Sequence, residues 1–397
     1  MLTVAEALAQ VLATARPVTE RIEVPLMNAL GHVLAADVVS SVDVPPLDNS
    51  AMDGYALRAS DAGQPLPVSQ RIPAGAIGVA LAPGTAARIF TGAPVPAGAD
   101  AVVMQEDCKE VAGVLTVSGA VSAGQHIRPR GQDIAAGESV LVAGRVLRPQ
   151  DLGLLASVGC SAAQVYRPLR VAVLSTGDEL IEPASGTLRE GGIYNSNRYT
   201  LAGLLRGLNM ELIDCGIVAD TPEGTAAALL DAAARADCVI TTGGVSVGEE
   251  DHVKHQVERL GRLDLWRLAI KPGKPLAFGS IGETPFIGLP GNPTSVFVTF
   301  CLIARPFLLA LQGADEPEPL RLQARASFVV GSPGTRQEYL RVTLENTESG
   351  LQAVSYVNQS SGVLSSVSRS NALAIIPVGT TVKRGDVVDV LLLDTLA

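Results

Sequence analysis

The chain predicts a multidomain protein of α/β plus β class, centred on an open, mostly parallel α/β sheet, and three observations predict it. Between residues 167 and 312 short apolar runs alternate with helical segments, the pattern of a largely parallel sheet with crossover helices. Residues 46–139 carry short apolar runs punctuated by Gly, Pro and Asp, which predicts an inserted β-rich domain. From residue 320 to the end the residues alternate between Gly and Asp turns, as in TVKRGDVVDVLLLD, and predict a small β barrel or sandwich. The linker GADEPEPL, with two prolines and three acids, marks its boundary.

Taken in order, MLTVAEALAQVLATARP has helical spacing, includes Glu6 and lacks an early Lys or Arg, so an amphipathic helix is expected rather than a signal peptide. A second short helix is expected near 26–38 and a further helical segment over 150–165. Residues 1–45 and 140–166 are expected to pair as an elongated, helical linking domain. The inserted domain then takes 46–139, the α/β domain 167–312 and the C-terminal domain 313–397. In the α/β part, strands are expected at 170–176 (RVAVLST), 211–218, 237–242, 265–270, 276–279 and 286–288, with helices at 197–208, 223–236, 252–260 and 293–311. Arg305 and Pro306 interrupt the apolar run of that last helix, so no membrane span is expected.

Composition narrows the function. With 47% hydrophobic and 18% charged residues over 397 positions, the chain is folded. A net charge of −10 opposes a general nucleic-acid or anionic-membrane surface but leaves room for a small anionic ligand. Five cysteines, Cys108, Cys160, Cys215, Cys238 and Cys301, have no C-x-x-C spacing and read as buried thiols of a reducing compartment, by default the cytoplasm. His252 and His255 lack the partners of a zinc motif, and neither a nucleophile elbow nor a Walker A sequence is present.

The chemistry gathers in glycine-containing loops after predicted strands: STGDEL (175–180), VADT (218–221), TTGGVSVGEED (241–251), KPGKP (271–275) and GLPGNPTS (288–295). In an open α/β sheet such loops share one rim, where ligands bind. Gly243, Gly244, Gly291 and a helix opened by Asn292 as cap and Pro293 offer backbone donors to an anion. Lys271 and Lys274 add positive charge, and Glu179, Asp220 and Asp251 supply oxygens suited to Mg²⁺. Ser175, Thr176, Ser246 and Pro290 lie in the same loops. Each loop alone has a plainer explanation: the helix dipole favours acids at 249–251 and the lysines suit a solvated loop. Five on one rim describe a site for a phosphorylated ligand with a metal. Outside the rim, Asp48 and Asp53 bracket a turn-rich segment, while the loops 91–94 and 128–133 carry potential ligands that alone read as surface ion pairs.

The strings PPLDNSAMDGYA (45–56), TGAPVPAGADAVV (91–103), STGDEL, GGIYNSN (191–197), TTGGVSVGEEDHVK, AIKPGKPLAFG (269–279), GLPGNPTS and QSSGVLSSVSRSNAL (359–373) closely resemble the molybdopterin molybdenumtransferases of MoeA type, to which the C-terminal domain of gephyrin is related. The resemblance runs in order over nearly the whole chain. It implies four domains, with the α/β domain of molybdopterin-binding type, and a homodimer with its cleft between subunits. The reaction it implies is insertion of molybdate, the substrate, into the dithiolene of adenylyl-molybdopterin with Mg²⁺-dependent release of AMP. It places Asp53, Glu179, Asp220, Asp251 and Lys271 at catalytic positions, with Glu179, Asp220 and Asp251 as metal ligands. Thr91, Arg128, Asp133, Pro290, Pro293, Arg341 and Ser361 fall at other functional positions. Arg267 stands where some relatives have Lys, and arginine does not donate a proton at neutral pH.

Two rival functions resemble part of this pattern. Molybdopterin adenylyltransferase is similar to 167–312 in fold, but as a short single domain that usually carries GGTG where this chain has GGVSVG; it is also a possible contact partner. A gephyrin-like scaffold or cofactor carrier would bind without turnover.

Overall fold

The computed structural model describes residues 1–397 except 186, 245–251, 316–317 and 396–397. Its central sheet has six strands in the order Glu211–Val218, Arg170–Thr176, Cys238–Thr242, Thr284–Leu289, Pro275–Ile281, Gly261–Arg267. The first four run parallel, Pro275–Ile281 runs antiparallel to them, and Gly261–Arg267 pairs antiparallel with Pro275–Ile281. The unbroken apolar run of Arg170–Thr176 follows from burial on both faces. Val171 and Val173 join one core cluster, and Ala172 and Leu174 join the other. Helices Ser196–Gly207 and Pro222–Arg235 begin where Asn195 and Thr221 accept N–H bonds, and His252–Leu260 follows.

The last helix of this unit runs without interruption from Pro293 to Leu311, as Pro293–Thr299, a π turn at Phe300–Ala304, and Arg305–Leu311. Pro306 lies just after the π turn, which accommodates a residue lacking an N–H. The helix is long and apolar enough to span a membrane, with mean hydropathy 1.9, yet 89% of the window is buried inside the protein. Helix Val4–Thr14, started by a reciprocal Thr3–Glu6 capping box, packs Ala7 and Val11 into the same core as Phe307.

The expected helix over 26–38 is not there. Only Leu26–Asn28 makes a 3-10 turn; beyond Gly31 (φ 77°) the backbone bonds across to another segment, Leu34 N to Arg145 O and Leu147 N to His32 O. The helical segment expected over 150–165 divides into helix Pro149–Ser157 and strand Ala162–Tyr166, parted at Gly159 (φ 88°). That strand pairs with Arg21–Pro25, where no element was expected.

The inserted segment forms a six-stranded sheet, Ala101–Met104, Gly54–Leu57, Ala86–Ile89, Leu66–Ile72, Val114–Val117, Cys108–Val111, with an apolar cluster on each face. At the C-terminal end five strands close a barrel rather than a sandwich: Gln337–Thr347, Gly350–Ser355, Arg321–Ala326, Val387–Leu392 and Ala372–Ile376, which returns to Gln337–Thr347. The short strand Ile270–Lys271 adds to this barrel beside Gln337 and Glu338. The KPGKP loop therefore lies between the α/β rim and the barrel.

Candidate functional site

A cavity of about 890 Å³ opens at the carboxyl ends of the sheet strands and is walled on its far side by the barrel loop 359–362. The rim loops supply Thr176, Glu179, Gly243, Gly244, Lys271, Lys274, Pro290, Gly291, Asn292 and Pro293, and the barrel supplies Ser361. Parallel strands all point their carboxyl ends one way, which brings the rim loops together.

Glycine is required at particular points here. Gly243 and Gly244 have φ of 82° and 66°. A Cβ on the first would sit 2.9 Å from Thr176 O, and on the second 2.5 Å from Val253 Cγ2. Backbone thus passes close to the cavity floor where a side chain would not fit. Glu179 folds back over Gly177, its carboxylate lying 2.7 Å from where a Cβ on that glycine would be.

The helix beginning at Pro293 presents its N-terminus to the cavity. Asn292 stands at the cap position but makes no side-chain capping bond, contrary to its expected role. The barrel loop caps instead: Thr294 N donates to Ser361 O and Thr294 Oγ1 to Val363 O, each 3.1 Å. Lys271 Nζ pairs with Glu338 Oε1 at 3.1 Å, and Arg336 Nη1 donates to Ile270 O at 3.1 Å. These contacts fix barrel and rim as two walls of one cleft.

Several expected site residues lie elsewhere. Arg341, expected against substrate, is 1% exposed and does not line the cavity. Its Nε donates to Ser366 Oγ, Nη1 to Tyr339 O and Nη2 to Ser360 O, while its backbone N–H reaches Gln359 Oε1. Its donors are spent on the loop that carries Ser361. Burial lowers its pKa to about 10. Ser175 is fully buried, bonded to Thr242 Oγ1 at 3.3 Å and Asn195 Oδ1 at 3.4 Å, beneath the floor. Asp220 lies two residues beyond its strand, half-buried, on the rim but outside the cavity lining. Arg267 is exposed and also outside the lining. Ser246 and Asp251 fall outside the described residues.

Asp53, Thr91, Arg128 and Asp133 do not line the cavity either. All four are exposed on the inserted segment and gather along one strip. Asp53 Oδ1 accepts both the backbone N–H and the hydroxyl of Thr91 at 2.7 Å. These two bonds, the backbone one foremost, hold its carboxyl below the usual range. Ile127–Arg128 pairs with Asn49–Ser50, Gly92 N donates to Ser50 O, and Asp133 N donates to Val44 O.

Sequence reasoning missed Asn197, Arg336, Gln359 and Ser360 as cavity residues. Asn197 donates from Nδ2 to Gly291 O at 2.8 Å, joining two rim loops, while its buried Oδ1 has no partner among the described residues. The motif GGIYNSN carried that signal; the half-buried Arg336 before a barrel strand carried none.

Sheet, rim and barrel define a multidomain α/β protein whose cleft offers lysines, backbone and a helix N-terminus to an anionic ligand. Residues 2–159 match the MoeA N-terminal region (domain I and II), 172–310 a probable molybdopterin binding domain, and 323–393 the MoeA C-terminal region (domain IV). A molybdopterin molybdenumtransferase of Haemophilus influenzae is 40% identical over 357 residues, covering 88% of each chain. One from Nostoc sp. is 39% identical, covering 90% of this chain and 85% of its own. A crystal structure of the molybdopterin biosynthesis MoeA protein from Pyrococcus horikoshii OT3 superposes with TM-score 0.85 at 32% identity, over 99% of this chain and 100% of that one. The chain belongs to the molybdopterin molybdenumtransferase (MoeA) family. Its match to three successive family segments does not favour the adenylyltransferase alternative, which is similar to 167–312 alone.

Proposed function

We propose that this protein is a transferase of molybdenum cofactor biosynthesis that inserts molybdenum from molybdate into the dithiolene of adenylyl-molybdopterin and releases AMP. The observation that carries this reading is one cavity, of about 890 Å³, in which Lys271, Lys274 and the helix N-terminus at Pro293 meet. Its size suits a substrate holding a pterin and a nucleotide. Lysines and oriented N–H groups stabilise phosphate and a tetrahedral oxyanion alike. Gly243 and Gly244 let backbone approach the ligand, and Ser361 closes the far wall. The sulfur ligands of molybdenum come from the substrate, so the buried Cys238 and Cys301 have no part in it.

Mg²⁺ is part of the proposal. Among the described residues there is no group of three His, Cys, Asp or Glu side chains that could hold a metal, and Glu179 is the acid lining the cavity. That donor set fits Mg²⁺, which binds through one or two carboxylates and completes its shell with substrate phosphates and water. Glu179 would hold the ion, with Asp220 and Asp251 as the further candidates. Bound there, Mg²⁺ would neutralise phosphate charge as AMP leaves.

The same reading assigns the chain to a cytoplasmic homodimer, with four domains at 1–45 plus 140–166, 46–139, 167–312 and 313–397. The strip of Asp53, Thr91, Arg128 and Asp133 supports a cleft between subunits: it is exposed and lies outside the lining of its own chain's cavity. A twofold axis can bring such a strip to the partner's cavity. Mixing Asp53→Asn and Glu179→Gln subunits tests this. Each pure variant should lose nearly all activity, and the mixture should recover about a quarter of wild-type turnover through one intact composite site per mixed dimer. No recovery in demonstrably mixed dimers would refute the shared cleft.

A further inference from the structure

The loop 177–194 carries four acids, Asp178, Glu179, Glu182 and Glu190, against one cation of its own, Arg189. Its two ends are joined as a short parallel ribbon, Leu180–Ile181 beside Ile193–Tyr194. Glu179 stands at the start of that ribbon, exposed, and among the described residues its carboxylate makes no hydrogen bond or ion pair. Where the carboxylate lies is therefore set by the backbone of the ribbon, which gives its N–H bond from Ile193 to Glu179 O at 2.8 Å.

That backbone is tied down at Glu182. Its Oε1 accepts Asn195 Nδ2 at 3.1 Å, and Arg198 Nη1 lies 2.7 Å from its Oε2. The same guanidinium grips Asp214, with Nε 2.8 Å from Oδ1 and Nη2 2.6 Å from Oδ2. Asp214 sits at a bulge in strand Glu211–Val218: Val173 pairs with Asp214 but Ser175 with Ile217, so one residue is extra, and Gly216 takes φ 68°. Asp214 Oδ1 accepts the Gly216 N–H at 3.1 Å and so holds the bulge closed. A bulge re-aims the chain that follows it. Past this one Val218 lies opposite Thr176, so the segments leading to Asp220 and Glu179 leave neighbouring strands at one level. Arg198 is joined to both segments, is a quarter exposed and lies outside the cavity lining. Its planar fork serves two carboxylates at once, which a lysine ammonium does not reproduce.

We propose that Arg198, clamped between Glu182 and Asp214, is a positioning residue for the metal: it fixes the spacing of the two loops that carry Glu179 and Asp220. This rests on the reading that Glu179 holds Mg²⁺ with Asp220 as a further ligand, and adds to it the device that sets them.

Mn²⁺ serves as the probe, titrated into the full-length protein with AMP present and read by electron paramagnetic resonance against a protein-free blank. Molybdate binding is measured separately by calorimetry. Arg198→Gln and Glu182→Gln should each weaken Mn²⁺ binding roughly tenfold and leave molybdate affinity within about twofold of wild type. Arg198→Lys, which keeps the charge but not the fork, should fall between. The Mg²⁺ concentration for half-maximal turnover should rise by the same factor, with kcat recovered at saturating Mg²⁺. Asp237→Asn weakens the same sheet at its amino end, away from the rim, and should keep wild-type Mn²⁺ affinity; unfolding temperatures show that each variant is folded. Wild-type Mn²⁺ affinity in folded Arg198→Gln and Glu182→Gln, or an equal loss in Asp237→Asn, would overturn the positioning role. Glu179→Gln tests the reading beneath it. If that variant binds Mn²⁺ as the wild type does, or the wild type binds none, both the metal site and its positioning fail; a loss in Glu179→Gln beside unchanged Arg198 and Glu182 variants removes the positioning alone.

Discussion

Lys271 Nζ lies 3.1 Å from Glu338 Oε1, so a cationic group of the cavity is held by a carboxylate of the barrel. The link spans two units of the fold at the point where Ile270–Lys271 joins the barrel sheet. Lys271 is half exposed, which keeps the pair weak and available for exchange with an anionic ligand. Glu338→Gln removes the competitor. The expected result is a KM for adenylyl-molybdopterin lower by roughly threefold, with a stability loss below about 1 kcal/mol.

Arg341→Met tests whether the buried guanidinium works through the loop. Removing it takes a donor from Tyr339 O, Ser360 O and Ser366 Oγ, although Ser360 O still accepts from Val363 N and Ser366 Oγ still donates to Val363 O. Stability should fall by about 3 kcal/mol, read from chemical unfolding. At a temperature where the variant is still folded, its KM should rise, because Ser361 no longer has a fixed wall. Wild-type KM in a folded Arg341→Met would contradict this.

Asp53 and Thr91 give a pH prediction. Thr91 holds the Asp53 carboxyl below its ordinary value, so its ionised form persists as pH falls through the usual carboxylate range. Activity that needs the carboxylate is present above the folded pKa and lost only as pH drops through it. Thr91→Val keeps the backbone bond and removes the hydroxyl bond. The pKa should move up, and the acidic limb of the kcat/KM profile with it. Asp53→Asn should lower kcat/KM by about 100-fold while the protein stays folded.

Away from the cleft, Asp237 at the start of a central strand binds Arg167 through two bonds of 2.7 and 2.8 Å and accepts the Arg170 N–H at 2.8 Å. Burial pushes its carboxyl up, but these partners together outweigh burial and hold it below its ordinary value. A depressed carboxyl stabilises the fold above its unfolded pKa, and the contribution is lost as pH falls through the folded one. Asp237→Asn should cost about 2 kcal/mol at neutral pH, and the gap in unfolding temperature from wild type should close on acidification.

The α/β unit was legible because its strands are buried on both faces and read as unbroken apolar runs, RVAVLST above all, while Gly243, Gly244 and Pro293 announce their turns locally. The linking segment was not: 26–38 has helical spacing, but its backbone bonds to 144–147, more than a hundred residues away. Long-range pairing of that kind leaves no local periodicity. The rim was similarly readable from loops after strands, and its second wall was not. Gln359 and Ser360 reach the cavity only because the barrel closes and Arg341 holds their loop, and the functional weight of Asp53 came from resemblance rather than from its own surroundings.

The central claim is tested most directly by incubating the purified protein with adenylyl-molybdopterin, Mg²⁺ and molybdate and following AMP. The account predicts AMP release that depends on molybdate, with molybdenum cofactor formed in equal amount. AMP release at the same rate without molybdate, or none at all with every reactant present, would contradict it.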